Sequence, residues 1–411
     1  MAQEIALGVD IGTSSVKFVA GYVDSNDTLN VVACLSSPSE GVKKGSIANL
    51  EAASECVAAL WSRFRASSDA RPDACLSSID GTSIVSMNRS GSVAIEGSGR
   101  VSETDVRRAI ESSGAFSLKS SDMVLHLIPQ AFTVDDCSGI ESPIGMIGSR
   151  LSVDTHVVVA SQAAVSSRIS VFEKARVRVA GLVAHGIASA EGVLGVDERD
   201  LGVCLVDIGA GTTNLVVYKG SGIVHSSTIA IGGASITNDL ALGLGIPFSA
   251  AERLKTTVAD LERFDNVDEE RFSDVDLARS LSGADLSQAG NIVRARLAEI
   301  CELIVSDLKG AGVHRRIPAG LVITGGTANM VGLSEFVTKV TGYRCSCAAA
   351  RRVLRSIDVA AKPEYACAAG LVRIAFSDNA WGTVRNINFP EPRGWRYWAR
   401  SVVRMLLSWP G

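Results

Sequence analysis

Apolar and polar positions along the chain fall into two alternating rhythms. Buried-type runs bounded by glycine and polar turns predict strands at 4–11, 15–23 and 29–35. An amphipathic helix at about 50–66 and a strand at 75–79 follow. The pattern changes over 83–160, where short alternating runs surround the helix SETDVRRAIESS and the strand-like stretches MVLHLIPQAFTV and SRLSVDTHVVVAS. Those features predict an inserted α+β subdomain. Ser102 is placed to cap its helix, and Glu103 and Asp105 in the first turn complement the helix dipole. A helix at 161–175, a strand at 176–181 and a helix at 185–194 return to the first pattern. Strands at 201–207, 212–219 and 222–230 then restart it. The order hairpin, strand, helix occurs twice, which predicts an internal duplication.

Composition narrows the classes without deciding among them. The 411 residues are 46% hydrophobic with 39 glycines, enough for two or three domain-sized cores. Net charge is −4 and the pI is about 5.8, so nothing global marks a nucleic-acid binder. The opening MAQEIALGVDIG lacks a basic leader and is expected to be a first strand, not a signal peptide. No uncharged apolar run reaches the roughly 18 residues of a transmembrane helix. The nine cysteines follow no pattern, and the close pair Cys345 and Cys347 has no histidine nearby to complete a metal site. Reduced thiols of a cytosolic protein are the expectation. Residues 259–277 are locally acidic and are expected to form a solvated loop or helix face.

Two short motifs carry chemistry. GVDIGTSSVKFVA at 8–20 and LVDIGAGTTNLVVY at 205–218 share one grammar: an apolar strand, Asp-x-Gly, hydroxyl residues, then a second strand. Gly12, Gly209 and Gly211 let backbone N–H groups approach phosphate oxygens, and Thr13, Ser14, Thr212 and Thr213 add hydroxyl donors. Asp10 and Asp207 suit hydrated Mg²⁺, which keeps its waters, and Lys17 can offset phosphate charge. One such hairpin alone is as easily a plain glycine turn; a copy at the start of each half argues against that reading. LVITGGTANMVGL at 321–333 offers backbone at Gly325 and Gly326 for a flat base. Gly232 and Gly233 open a helix, and Glu252 and Lys255 stand one turn apart on a later one, where a surface i,i+3 ion pair is the bland alternative.

These motifs together resemble the actin, Hsp70 and sugar-kinase superfamily. With EGVKKGSIANLE, VLHLIPQAFTVDD and SPIGMIGSRLSVDTHVV, the chain resembles the bacterial cell-division FtsA family over about 8–376. The resemblance implies an α/β, actin/Hsp70-like duplicated two-lobe ATPase fold with an inserted subdomain and a C-terminal amphipathic helix. Lobe I would take 1–82, 161–196 and 350–376, and the insert 83–160. The lobe II core would take 197–233 and 313–349, with an outer subdomain at 234–312. A linker at 377–394 and a membrane-targeting helix at 395–409 would follow. ATP would lie between the lobes. Asp10, Gly12, Thr13, Ser14 and Lys17 would hold phosphate from one side, and Asp207, Gly209, Gly211, Thr212 and Thr213 from the other. Gly232 and Gly233 would close the floor, Glu252 and Lys255 would meet the ribose or base, and Gly325, Gly326 and Thr327 the adenosine. Superfamily hydrolases carry Gln or Glu on the helix before the second hairpin to orient water. Here AHGIASAEGVL offers only His185 near that position, so slow turnover or binding without useful hydrolysis is expected. Partners implied are FtsZ through its C-terminal tail, further copies of the chain in a filament, and later division proteins at the division site. The acidic 259–277 segment stands where the FtsA family places strands that receive that tail.

The ending GWRYWARSVVRMLLSWPG is amphipathic at helical spacing. Trp395, Trp398, Val402, Met405, Leu406 and Trp409 fall within an arc of roughly 100°. Arg393, Arg396, Arg400 and Arg404 lie opposite, and no acidic residue follows Glu391. Tryptophan suits the membrane interface, and each arginine is worth about 1 kcal/mol near anionic headgroups. The expected placement is in the plane of the membrane interface, which the resemblance puts on the cytoplasmic face of the inner membrane, with docking on the protein's own core or on a partner as the alternative. A pilus-assembly-type actin-like protein or a small-metabolite kinase would share the fold, but neither needs such a tail.

Overall fold

The computed structural model describes residues 4–220, 222–258, 261, 288–354 and 358–377. The acidic segment apart from Leu261, the linker beyond Ser377 and the whole expected membrane helix, Trp395 to Trp409, lie outside the described residues.

Lobe I begins with β1 (Ala6–Ile11), β2 (Ser15–Val23) and β3 (Leu29–Pro38), and a two-rung ladder of β4 (Val42–Lys43) with β5 (Ser46–Ile47) follows. Helix α1 (Leu50–Ser67) is capped by Asn49, whose side chain accepts from the Ala52 N–H, and leads to β6 (Ala74–Ile79). The inserted unit contains β7 (Val85–Ala94), α2 (Glu103–Ser113), β8 (Asp122–Val134), β9 (Cys137–Ile140) and β10 (Arg150–Ser161). Ser102 caps α2 in a reciprocal capping box with Asp105. The chain returns through α3 (Gln162–Lys174), β11 (Gly181–Ala184), α4 (His185–Val193) and a short α5 (Val196–Leu201).

Lobe II repeats the plan with β12 (Val203–Ile208), β13 (Thr213–Lys219) and β14 (Gly222–Ile229). Helices α6 (Gly233–Leu244), α7 (Phe248–Val258) and α8 (Ala289–Gly310) precede β15 (Leu321–Thr324), α9 (Leu333–Thr341) and β16 (Cys345–Cys347). Helix α10 (Ala366–Phe376) closes the described chain.

The duplication is explicit in the sheets. One runs β3-β2-β1-β6-β11 and the other β14-β13-β12-β15-β16. In each, an antiparallel hairpin pair is followed by two parallel strands. The insert is a separate sheet, β7-β10-β8-β9, with its own core of Val101, Ala109, Ile110, Phe132, Leu151 and Val153. The strand expected at 176–181 is instead β11 at 181–184. Arg176, with φ of 57°, turns the chain out of α3, and pairing begins only where Gly181 meets Leu76. Similarly, Leu201 ends α5, and β12 starts at Val203.

Helices α4 and α10 fill the space between the two sheets, sharing a core with Leu7 and Val9 on one side and Val203, Leu205 and Val216 on the other. They meet through small residues. A Cβ on Gly370 would lie 1.7 Å from the Ala188 carbonyl oxygen, and one on Gly192 would lie 2.3 Å from that of Ala366. This backbone contact sets both sheets at a fixed distance and brings their hairpins to one cleft.

Candidate functional site

Each hairpin begins where a fully buried strand ends. Asp10 pairs with Lys17 across β1 and β2, and Asp207 with Asn214 across β12 and β13. Both aspartates are buried. A single imidazole stands between them: His185 Nδ1 is 3.3 Å from Asp10 Oδ1, and its Nε2 is 3.0 Å from Asp207 Oδ2. Ser78 Oγ donates to Asp10 at 2.8 Å, Lys17 Nζ lies 3.5 Å from it, and the Ser189 hydroxyl donates to Asp207. Burial alone would raise the Asp10 carboxyl, but the charges of His185 and Lys17 outweigh it and hold the group well below the usual range. Burial likewise opposes charge on His185, and Cys367, Asp10 and Asp207 around it raise its pKa well above the ordinary value. His185 is therefore a cation shared by two carboxylates, a different position from that of a water-orienting base.

The hairpins touch. A Cβ on Gly211 would come within 2.5 Å of Thr13 Oγ1, so only glycine lets the second turn lie this close to the first. Thr13 Oγ1 also accepts the Gly45 N–H at 3.2 Å. Thr212 Oγ1 donates at 2.6 Å to Asp80 Oδ2, joining the lobes at the base of the cleft. Helix α6 docks on the second hairpin, its Gly233 and Ala234 N–H groups donating at 2.8 Å to the Gly209 and Ala210 carbonyls. Gly232 lies against the same two carbonyls.

The remaining expected residues surround this centre. Lys255 Nζ donates to the Gly233 carbonyl at 3.2 Å and to Thr237 Oγ1 at 2.9 Å, and it pairs with Glu252 Oε2 at 2.8 Å. That ion pair is more than a surface ornament, because it ties α7 to the first turn of α6. Thr327 is buried beside Gly233, and Gly325, at φ of 84°, packs against Asp207 and the Ile208 carbonyl. Next to it Gly326 borders open space: a Cβ there would meet no atom within 4 Å. Ser14 is exposed at the tip of the first turn, where Gly12 donates its N–H to the Ser15 carbonyl. Thr213 faces away, fully buried, with its hydroxyl donated to the Ile231 carbonyl.

Sequence inspection passed over Ser78, Asp80, Ser189 and Cys367. Ser78 and Asp80 sit at the C-terminal end of β6, the parallel neighbour of β1, and parallel strands open their ligand crevice at that end. The Asp-Gly after a short apolar strand was the available signal. Cys367 on α10 brings its sulfur within 4.8 Å of ligand atoms of Asp10 and His185. For Mg²⁺ the fitting donors are the oxygens of Asp10 and Asp207; the imidazole between them favours contact through water.

Duplicated sheets whose Asp-x-Gly hairpins meet across one cleft define the actin-like ATPase fold. The structure is similar to the PilM-PilN type IV pilus biogenesis complex, with a TM-score of 0.61 at 18% identity over 89% of this chain and 97% of that one. It is also similar to MreB5 of Spiroplasma citri bound to ADP, at a TM-score of 0.51 and 13% identity over 90% and 95% of the chains. At these identities the likeness concerns the fold alone. Residues 204–370 match the family described as cell division protein FtsA, and residues 81–159 match the SHS2 domain inserted in FtsA. The cell division protein FtsA of Neisseria meningitidis serogroup B is 31% identical over 372 residues, 89% of each chain. The chain belongs to the FtsA family of cell division proteins. Among the described residues, no helix is long and apolar enough to cross a membrane.

Proposed function

We propose that this protein binds ATP with Mg²⁺ between its lobes and assembles into actin-like filaments on the cytoplasmic face of the inner membrane. There it tethers FtsZ filaments at the division site and recruits later division proteins. The observation that carries this reading is the meeting of the two hairpins, Thr13 against Gly211, in a chain of the FtsA family. Phosphates would be held by Asp10, Gly12, Thr13, Ser14 and Lys17 on one side and by Asp207, Gly209, Gly211 and Thr212 on the other. Thr213 would hold its hairpin in shape. Gly232, Gly233, Glu252, Lys255, Gly325, Gly326 and Thr327 would line the nucleoside end, a reading supported by the open space next to Gly326. Mg²⁺, when bound, would neutralise phosphate charge, with Asp10 and Asp207 holding its waters. The tail from Arg393 onward would supply the membrane contact with its tryptophan face and its arginines.

The test is co-sedimentation with anionic vesicles, comparing the intact chain with one ending at Arg393, each with and without ATP. The intact chain is expected to pellet, more strongly with ATP, and to carry FtsZ down with it. Equal behaviour of the two chains would remove the membrane role of the tail.

A further inference from the structure

The base of the cleft holds a carboxylate that the ATP-binding scheme above leaves without a task. Asp80 follows β6 in lobe I and is 7% exposed. Its Oδ1 accepts the Gly81 N–H at 2.7 Å, and its Oδ2 accepts the Thr212 hydroxyl of lobe II at 2.6 Å. Gly45 packs against the same carboxylate, so close that a Cβ there would lie 2.8 Å from Asp80 Cγ, while its N–H bonds Thr13 Oγ1. Beneath, the buried Arg168 ties the Ile11 and Gly45 carbonyls together at 3.2 and 3.0 Å. Thr13, Gly211, Thr212 and Asp80 thus form one ring where the tips of the hairpins converge. That is the place where a terminal phosphate would meet water.

We infer that Asp80 is the catalytic carboxylate for ATP hydrolysis, orienting the attacking water and taking its proton. The inference rests on the ATP-binding function proposed above. His185, engaged by carboxylates at both ring nitrogens, is not free for the task. In the step, the water oxygen bonds to the terminal phosphorus and the bond from that phosphorus to the bridging oxygen breaks. The electron pair of that bond leaves with ADP. The water's proton passes to Asp80 and from there to the departing phosphate. Thr212 holds the carboxylate in place through its hydroxyl.

The experiment compares the full-length chain with Asp80→Asn, whose side-chain oxygen can still accept from Thr212, and with the smaller Asp80→Ser, and checks folding by thermal melting. Single-turnover hydrolysis and the affinities for ATP and ADP are measured separately. Hydrolysis is expected to fall by about a hundredfold or more in both variants, in the range of a lost general base. ATP affinity relative to ADP is expected to rise several-fold, because on this inference the lost charge is one that would face the terminal phosphate. Variants that bind ATP and hydrolyse it at the parent rate would overturn the role of Asp80, as would a parent chain that binds ATP and never hydrolyses it. A parent chain that binds no ATP would instead remove the proposed function, and this inference with it.

Discussion

Two buried histidines of the insert stand at the opposite electrostatic extreme from His185. His126 Nε2 accepts the Ala184 N–H at 3.0 Å, which requires a lone pair there and therefore a neutral ring. His156 sits in the polar seam between the insert and lobe II, its Nδ1–H donating to Asn88 Oδ1 at 2.8 Å and its Nε2 accepting from Ser226 at 2.9 Å. Burial, reinforced by His156, pushes His126 down to about 3, and burial reinforced by His225 pushes His156 down to about 3. In the unfolded chain both titrate near 6.5. Their stabilisation is therefore complete above about pH 6.5 and is lost as pH falls from there toward 3, since only the unfolded chain takes up the protons. The slope is at most about 1.4 kcal/mol per pH unit for each ring. Denaturant unfolding between pH 7 and pH 5 should show His156→Gln losing less stability on acidification than the parent. Parallel slopes would mean that His156 is protonated in the folded protein.

Elements explain why that site exists at all. Helices α4 and α10 bring His185, Ser189 and Cys367 to the two hairpin aspartates, and they set the distance between the lobes through Gly192 and Gly370. Adding a methyl at Gly370 places it 1.7 Å from the Ala188 carbonyl, a backbone atom that can yield only if the helices separate. Gly370→Ala should therefore cost at least as much as the about 1–3 kcal/mol of ordinary overpacking, read as a lowered melting temperature and a weakened nucleotide affinity. An unchanged melt would show that the helices slide freely. The hairpins were legible in the sequence because glycines and strand-ending aspartates are local signals, and Ser102 was legible as a cap for the same reason. The pairing of α4 with α10 was not, since Gly192 and Gly370 are 178 positions apart and read individually as ordinary small residues in helices. Asp80 was missed on similar grounds, because its partner Thr212 is 132 positions away. The start of β11 depends on where β6 offers it a register, which no local pattern encodes.

At the scale of the whole molecule, the proposed division of labour separates an acidic two-lobe body from a basic tail. Arg393, Arg396, Arg400 and Arg404 follow the last acidic residue, Glu391, in a chain whose net charge is −4. At about 1 kcal/mol per arginine, a single tail holds an anionic surface only modestly. Several tails on one filament act together, because the first contact raises the local concentration of the next. Two dependences follow. Vesicle binding should rise steeply with protein concentration when ATP is present and gently when it is absent, because ATP is proposed to support assembly. It should also weaken between about 0.1 M and about 1 M salt, as the screening length falls from about 10 Å to about 3 Å. Arg396→Glu with Arg400→Glu should abolish pelleting on anionic vesicles while leaving filament formation in solution intact. Binding indifferent to salt would place the membrane affinity in the tryptophan face alone, and binding equally steep without ATP would detach assembly from the nucleotide.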